Sequence, residues 1–260
     1  MEGSVTCILE FDDVSYLYPG RETFALRGFT LALPRGERIA LLGRNGSGRT
    51  TVFLRCNGLC RPQAGVVRFV GNVIQHDRKS PRWLRQQVGI VFQNPDDQLF
   101  STSVGQDISF GPLNLDLDAA AARRRVQEAA EMCEVSDLLD RPTHALSGGE
   151  KARVALAGVL AMKPDVLVAD ELLSNLDPWV RLSVLGIFHR LHRQGKTLIL
   201  ATHDLEVVQS WASFVVVMNA GQAVFAGAPD DLLGNEMMMA QTGLATVWGA
   251  RSGVGAPELL

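Results

Sequence analysis

Lysine is scarce in this 260-residue sequence: it occurs four times, at positions 79, 151, 163 and 196, against 21 arginines. With 25 cations of either type, 28 acids and a net charge of −3, there is no basic excess. That argues against non-specific nucleic-acid binding, which carries such an excess. No acidic run marks a disordered tail. Cysteine is equally sparse. Cys7, Cys56, Cys60 and Cys133 form no C-x-x-C and no even framework, so a reducing compartment is the simplest reading. Long apolar runs are missing too. The longest, Val154 to Met162 with glycine counted, has nine residues, whereas a membrane-spanning helix needs about 20. The acidic start Met1-Glu2-Gly3-Ser4 precedes no apolar stretch, so no secretory leader is expected. Repeats and low-complexity segments are absent. What remains is 47% hydrophobic and 20% charged, an ordinary globular composition in a chain long enough to bury a core without staples.

Hydrophobic patterning predicts an α/β fold. Ile8–Tyr16 and Ala25–Leu33 alternate apolar and polar and read as strands of an antiparallel N-terminal portion. Arg38–Leu42, Val66–Val70, Val88–Phe92, Val166–Ala169, Thr197–Thr202 and Phe214–Met218 are short runs of buried-strand type. Helices are predicted over Thr50–Leu59, Asp118–Glu134, Leu146–Met162 and Leu182–Arg193. Buried strands alternating with helices imply a parallel sheet. Residues 95–164 lack strand signals and read as a helical subdomain inserted into a domain spanning 1–235. Residues 236–260 read as a loosely attached tail.

Three motifs carry chemistry. Gly43-Arg44-Asn45-Gly46-Ser47-Gly48-Arg49-Thr50 joins a strand to a helix and matches the phosphate-loop pattern G-x-x-x-x-G-K-[ST], except that arginine replaces lysine. Glycines there let backbone N–H groups curl around phosphates, and the helix N-terminus adds partial positive charge. Thr50 is placed to ligate Mg²⁺ and Thr51 to donate to a phosphate. Val166-Leu-Val-Ala-Asp170-Glu171 is an apolar strand ending in two acids, with Asp170 suited to the metal and Glu171 to polarising a water as general base. Leu146-Ser147-Gly148-Gly149-Glu150 combines a capping box with a bared backbone, which suits an anion.

Together these motifs identify the sequence as resembling an ATP-binding-cassette (ABC) ATPase, over about residues 8–235. The resemblance implies a RecA-like parallel-sheet core and ATP with Mg²⁺ as cofactors. It implies that Ser147, Gly148, Gly149 and Glu150 are the signature motif that faces a second ABC ATPase subunit, with Ser147 and Gly149 contacting the γ-phosphate held there. Asp177, in Ser174-Asn-Leu-Asp177-Pro178, matches the loop that crosses that interface. His203 matches the switch histidine and Tyr18 the aromatic that stacks on adenine. Gln93 matches the glutamine that senses metal and γ-phosphate. Phe92–Phe100 followed by Ser109–Asn114 is similar to the energy-coupling-factor importers, with cobalt as the implied cargo and nickel or a vitamin as alternatives. Expected partners are a transmembrane coupling protein, docked at Asp96, Asp97 and Gln98, and a substrate-capture membrane protein. The expected location is the cytoplasmic face of the membrane. A nucleic-acid-linked ABC ATPase is the competing class, but this chain has neither the long coiled coil nor the second cassette that such proteins usually carry.

Two departures stand out. Arg49 places a wide, planar guanidinium where the pattern has a compact ammonium. It either reflects the drift toward arginine or marks a site that binds ATP and turns over slowly. Leu172-Leu173 replaces Pro-Thr and is expected to add apolar bulk near the dimer interface. Other conspicuous residues have plain readings. His189 and His192 are assigned to an exposed helix face and Cys56 and Cys60 to packing. The Arg123–Arg125 run, with Glu128, Glu131 and Glu134, is assigned to a solvated face. Trp83, Trp179, Trp211 and Trp248 are read as packing residues.

Overall fold

The computed structural model describes residues 6–75, 80–115, 117–174 and 176–244. They fall into two compact units. One comprises the residues up to 74 with those from 201 on, the other residues 75–200. In the first unit, β1 (Cys7–Tyr16) pairs antiparallel with β2 (Leu26–Pro34). Leu9, Phe11 and Val14 point inward from β1 and Phe29 and Leu31 from β2. Phe11 and Phe29 meet edge to face at 5.3 Å. Strand β3 (Arg38–Gly43) follows, then α1 (Arg49–Cys56). Strands β4 (Ala64–Phe69) and β5 (Asn72–Val73) complete a sheet ordered β2-β1-β4-β5.

The second unit begins with α2 (Ser80–Gln87) and β6 (Val88–Val91). A 3-10 turn over Pro95–Asp97 leads to α3 (Val104–Leu113), α4 (Ala119–Met132) and α5 (Gly148–Leu160). Then come β7 (Val166–Asp170), α6 (Pro178–Arg193) and β8 (Thr197–Ala201). Strands β6 and β7 pair in parallel, with β8 on the other side of β7. The described residues from 95 to 164 form helices and 3-10 turns, with one isolated bridge between Ser103 and Pro142.

The chain then returns to the first unit with α7 (Leu205–Trp211) and β9 (Phe214–Asn219), which lies parallel to β3. Strand β10 (Gln222–Gly227) turns back antiparallel on β9, and the short helices α8 (Pro229–Leu233) and α9 (Glu236–Gln241) follow. Residues 236–244 are not loosely attached. Met239 and Leu244 are buried in one cluster with Leu42, Val208, Val217 and Leu232, so the methionine-rich segment closes the core beneath β3 and β9. Trp248 and residues 245–260 lie outside the described residues.

Two further expectations change. Helix α6 starts at Pro178 rather than Leu182, because the Asp177 carboxylate caps it by accepting from Trp179 N and Val180 N at 3.0 and 3.1 Å. Trp179 is 82% exposed and Trp83 52%, so of the described tryptophans only Trp211 packs as expected. Cys56 is buried, and burial pushes its thiol up to about 12; Cys60 is only half-buried.

The seam between β6 and α5 depends on one missing side chain. A Cβ at Gly89 would lie 2.3 Å from Cγ1 of Val159. Gly89→Ala is therefore expected to destabilise the protein by about 1–3 kcal/mol through overpacking. Adding Val159→Ala should restore part of the loss, and urea unfolding of the single and double variants measures both.

Candidate functional site

The phosphate loop leaves β3 at Gly43 and re-enters helix at Arg49. Gly48 stands at φ 104°, and a Cβ there would lie 2.4 Å from the carbonyl oxygen of Ala25. No residue but glycine fits. Ser47 N donates to Arg44 O at 3.0 Å, and Gly221 N donates to Ser47 O at 3.0 Å, which fixes the curl of the loop from both sides. No side-chain hydrogen bond caps α1 at Gly48, and a helix N-terminus that follows a glycine-rich loop suits an anion. Arg44, Asn45, Gly46 and Thr50 are exposed, whereas Ser47, Arg49 and Thr51 are buried, Arg49 with 8% exposure. Tyr18 reaches this loop: its hydroxyl is 3.2 Å from Thr51 Oγ1. In the same unit Thr202 N donates to Leu41 O at 3.3 Å, which seats the exposed His203 just beyond the end of β3.

The second unit carries the acids. Asp170 ends β7 with 7% exposure. Glu171, the next residue, has φ 47°, a left-handed conformation that costs a non-glycine residue on the order of 1–3 kcal/mol and recurs at active sites. Gln93, just past β6, donates its Nε2 to Glu171 Oε2 at 3.1 Å. The parallel pairing of β6 with β7 brings the ends of the two strands together and makes this contact possible. The Gln93 amide nitrogen is thereby committed to Glu171, which leaves its Oε1 for a cation. Leu172 and Leu173 are 3% and 4% exposed, so the apolar bulk that replaces Pro-Thr is buried.

Ser147 caps α5 in a complete capping box. Glu150 N donates to Ser147 Oγ at 3.3 Å, and Ser147 N donates to Glu150 Oε2 at 2.7 Å. These bonds, then the Arg141 guanidinium at 2.9 Å, hold the Glu150 carboxyl below the usual carboxylate range. The depressed folded-state value means that its stabilisation is present above the unfolded pKa and is lost as pH falls through the folded one. Gly148 borders a cavity of about 400 Å³ lined also by Gln93, Asn94, Asp96 and Leu172, so signature and glutamine loop share one rim.

Of the expected docking residues, Asp97 is exposed. Asp96 is paired with Lys151 on α5 at 2.6 Å. Gln98 turns inward, accepting from Phe92 N at 3.1 Å and donating to Ala155 O at 3.4 Å. The sequence reading placed Phe100 at the end of the docking stretch but assigned no such role to Phe110 or Leu113. Phe100 and Phe110 meet edge to face at 4.8 Å while 66% and 53% exposed, beside Leu113 at 60%. It also missed Arg55, which has 1% exposure and lies over the ring of Tyr16. The available signal was a cation one helical turn after Thr51, among Val52, Phe53 and Cys56.

Comparison with known proteins agrees with this geometry. The sequence profile of the family described as ABC transporter matches residues 26–174. The cobalt import ATP-binding protein CbiO of Rhodobacter capsulatus is 44% identical over 92% of this chain and 85% of its own length. The energy-coupling factor transporter ATP-binding protein EcfA of Methanothermobacter thermautotrophicus is 44% identical over 85% of this chain and 71% of its own. Among solved structures, cbiO1 from Clostridium perfringens, part of the ABC transporter complex cbiONQ, superposes with a TM-score of 0.81 at 38% identity. That match covers 95% of this chain and 99% of the other. The chain belongs to the ABC transporter family of ATP-binding subunits, ATPases whose turnover is coupled to transport.

The two signature glycines differ in their surroundings. A Cβ at Gly149 would lie 2.9 Å from Cγ2 of Val180, whereas one at Gly148 meets nothing within 4 Å. Gly149→Val is expected to destabilise the fold by about 1–3 kcal/mol. Gly148→Val should leave stability within about 0.5 kcal/mol of native. Thermal unfolding of the two variants distinguishes them.

Proposed function

We propose that this chain is the ATP-hydrolysing subunit of an energy-coupling-factor importer, bound peripherally at the cytoplasmic face of a membrane. The hydrogen bond from Gln93 to Glu171 carries the catalytic part of the reading. A general base must be oriented toward its water, and a carboxylate on a left-handed residue, held by an amide from a neighbouring strand end, is oriented. Glycines and N–H groups of residues 43–51 hold the triphosphate, and Tyr18 stacks on the adenine. Thr50, Asp170 and Gln93 supply the hard oxygen donors that suit Mg²⁺, whose charge offsets that of the phosphates. His203 senses the γ-phosphate. Ser147, Gly148, Gly149 and Glu150 serve the ATP of a second ABC ATPase subunit, either another copy or a paralogue, with Asp177 at the contact.

The transmembrane coupling protein docks at Asp97 and the exposed Phe100, Phe110 and Leu113. Asp96, exposed and paired with Lys151, belongs to that surface, and Gln98 supports it from within. A substrate-capture membrane protein completes the importer. Cobalt is the proposed cargo, supported by the CbiO relative and the cbiO1 structure. The EcfA relative is equally similar, and its name specifies no cargo, so nickel and vitamins are the alternatives. Uptake of labelled cobalt, nickel and vitamins by cells carrying the assembled importer decides among the three.

Glu171→Gln keeps shape and removes the charge that polarises water. It should retain ATP binding and lower phosphate release by about 10²–10⁴-fold, trapping an ATP-bound dimer visible by size-exclusion chromatography. Unchanged release would remove Glu171 from its role. Adding Gly148→Val to this variant should abolish the trapped dimer in a chain that still folds.

Arg49 is the phosphate-loop cation. Its permanent charge and fork of donors preserve ATP affinity. The wider guanidinium displaces the loop or the γ-phosphate, and a shift of about 1 Å costs roughly 10²-fold in rate. Arg49→Lys is therefore expected to raise turnover at least about tenfold, a barrier change of about 1.4 kcal/mol. Arg49→Ala should lose binding and turnover together. Steady-state phosphate release and ATP titration measure both; a lysine variant no faster than native would show that the loop has adapted to arginine.

A further inference from the structure

We propose that Arg55 is a positioning residue for nucleotide binding, acting through Tyr16 to set the ring of Tyr18 and to tie it to the phosphate loop. The proposal rests on the reading that Tyr18 stacks on adenine.

Arg55 is 1% exposed, compared with 8% for Arg49 and 7% for Asp170. A buried guanidinium ordinarily has a carboxylate partner. Here Nη1 donates to the backbone oxygen of Thr51 at 2.9 Å, while Nε and Nη2 make no hydrogen bond among the described residues. What faces the guanidinium is an aromatic ring: its central carbon lies 3.7 Å from the centroid of Tyr16. A desolvated cation on a π-face is attracted by the ring quadrupole.

The contact continues outward. Tyr16 meets Tyr18 edge to face, with centroids 4.9 Å apart and planes at 89°. The hydroxyl of Tyr18 lies 3.2 Å from Thr51 Oγ1. The network thus closes on Thr51, held at its carbonyl by Arg55 and at its hydroxyl by Tyr18. The sequence contains two tyrosines in all, and both are spent here. The loop between them is fastened by a reciprocal pair of bonds between Leu17 and Gln63, at 2.8 and 2.9 Å.

Tyr18 follows the end of β1 in a partly exposed loop, where a ring unaided would sample several orientations. A ring fixed in advance binds a base without the cost of ordering it. The shared residue, Thr51, joins that ring to the part of the loop that receives phosphate. The ring that receives the base is therefore anchored by four side chains of one unit.

The test compares two ligands with the full chain, both with Mg²⁺: ATP, and inorganic tripolyphosphate, which has no base. Titration calorimetry gives the two dissociation constants for the native chain, Tyr18→Ala, Tyr16→Leu, Arg55→Met and Arg55→Lys. The first three variants should weaken ATP by about fivefold to tenfold, the size of one aromatic contact, and leave tripolyphosphate unchanged. Arg55→Lys keeps a cation over Tyr16 and should recover most of the ATP affinity. If Arg55→Met does not fold, the double variant Tyr16→Leu/Arg55→Met replaces the buried cation and its ring by apolar groups, an exchange proteins tolerate, and carries the test. Equal weakening of both ligands, or no weakening of ATP, by the Tyr16 and Arg55 changes overturns the proposal while Tyr18 keeps its role. A Tyr18→Ala chain with a native ratio of the two constants overturns the stacking reading and the proposal with it.

Discussion

The carbonyl oxygen of Ala25 is the point that fixes the phosphate loop. A Cβ on Gly48 would lie 2.4 Å from it and one on Gly221 2.8 Å. Three stretches of backbone distant in sequence therefore meet at one atom, and two of them can do so only without side chains. This close approach holds the start of α1 against β2 and the β9–β10 turn. The helix N-terminus is then aimed by backbone contact rather than by a capping side chain, and in the proposed site it faces phosphate. Thr51, in the first turn of that helix, is the residue that Tyr18 reaches.

The second unit uses another device. Its functional residues lie at strand and helix ends and are oriented by short polar contacts. Gln93 orients Glu171, Glu150 and Ser147 close the start of α5, and Asp177 closes the start of α6. Each contact satisfies backbone or side-chain groups that a terminus would otherwise leave open. In the proposed mechanism such residues serve stability and chemistry at once, so truncating them would perturb both. The near-isosteric Glu171→Gln and the uncrowded Gly148→Val are the cleaner probes for that reason.

Much of this was legible in the sequence because it is written in local rules. The buried strands β3, β7, β8 and β9 are apolar runs of helix-incompatible length, and the capping box at Ser147 is a four-residue pattern. Helix α3 was not read because Gly105, Gly111 and Pro112 disguise it. The partner of its buried Asp107 is the backbone of Phe100 and Ser101, which no periodicity reveals. The start of α6 was readable from Asp177-Pro178 as cap and first turn, but the loop motif drew attention away from it. The methionine-rich segment looked loose because its apolar residues follow no period, yet Met239 and Leu244 are buried in a cluster with residues distant in sequence. Burial of Arg55 and exposure of Trp179 are decided by tertiary neighbours, and neither residue type predicts its own fate.

The ion pair between Asp96 and Lys151 deserves a mechanical reading. The 3-10 turn at Pro95–Asp97 sits at the rim where a membrane partner is proposed to press, and Lys151 follows the signature residues within the first turn of α5. In the proposed importer, this ion pair at 2.6 Å links the docking surface to the helix that Ser147 caps. Its stiffness comes from charge in water, so ionic strength tunes it. In the proposed importer, the coupling of docking to the signature helix would therefore weaken as salt rises.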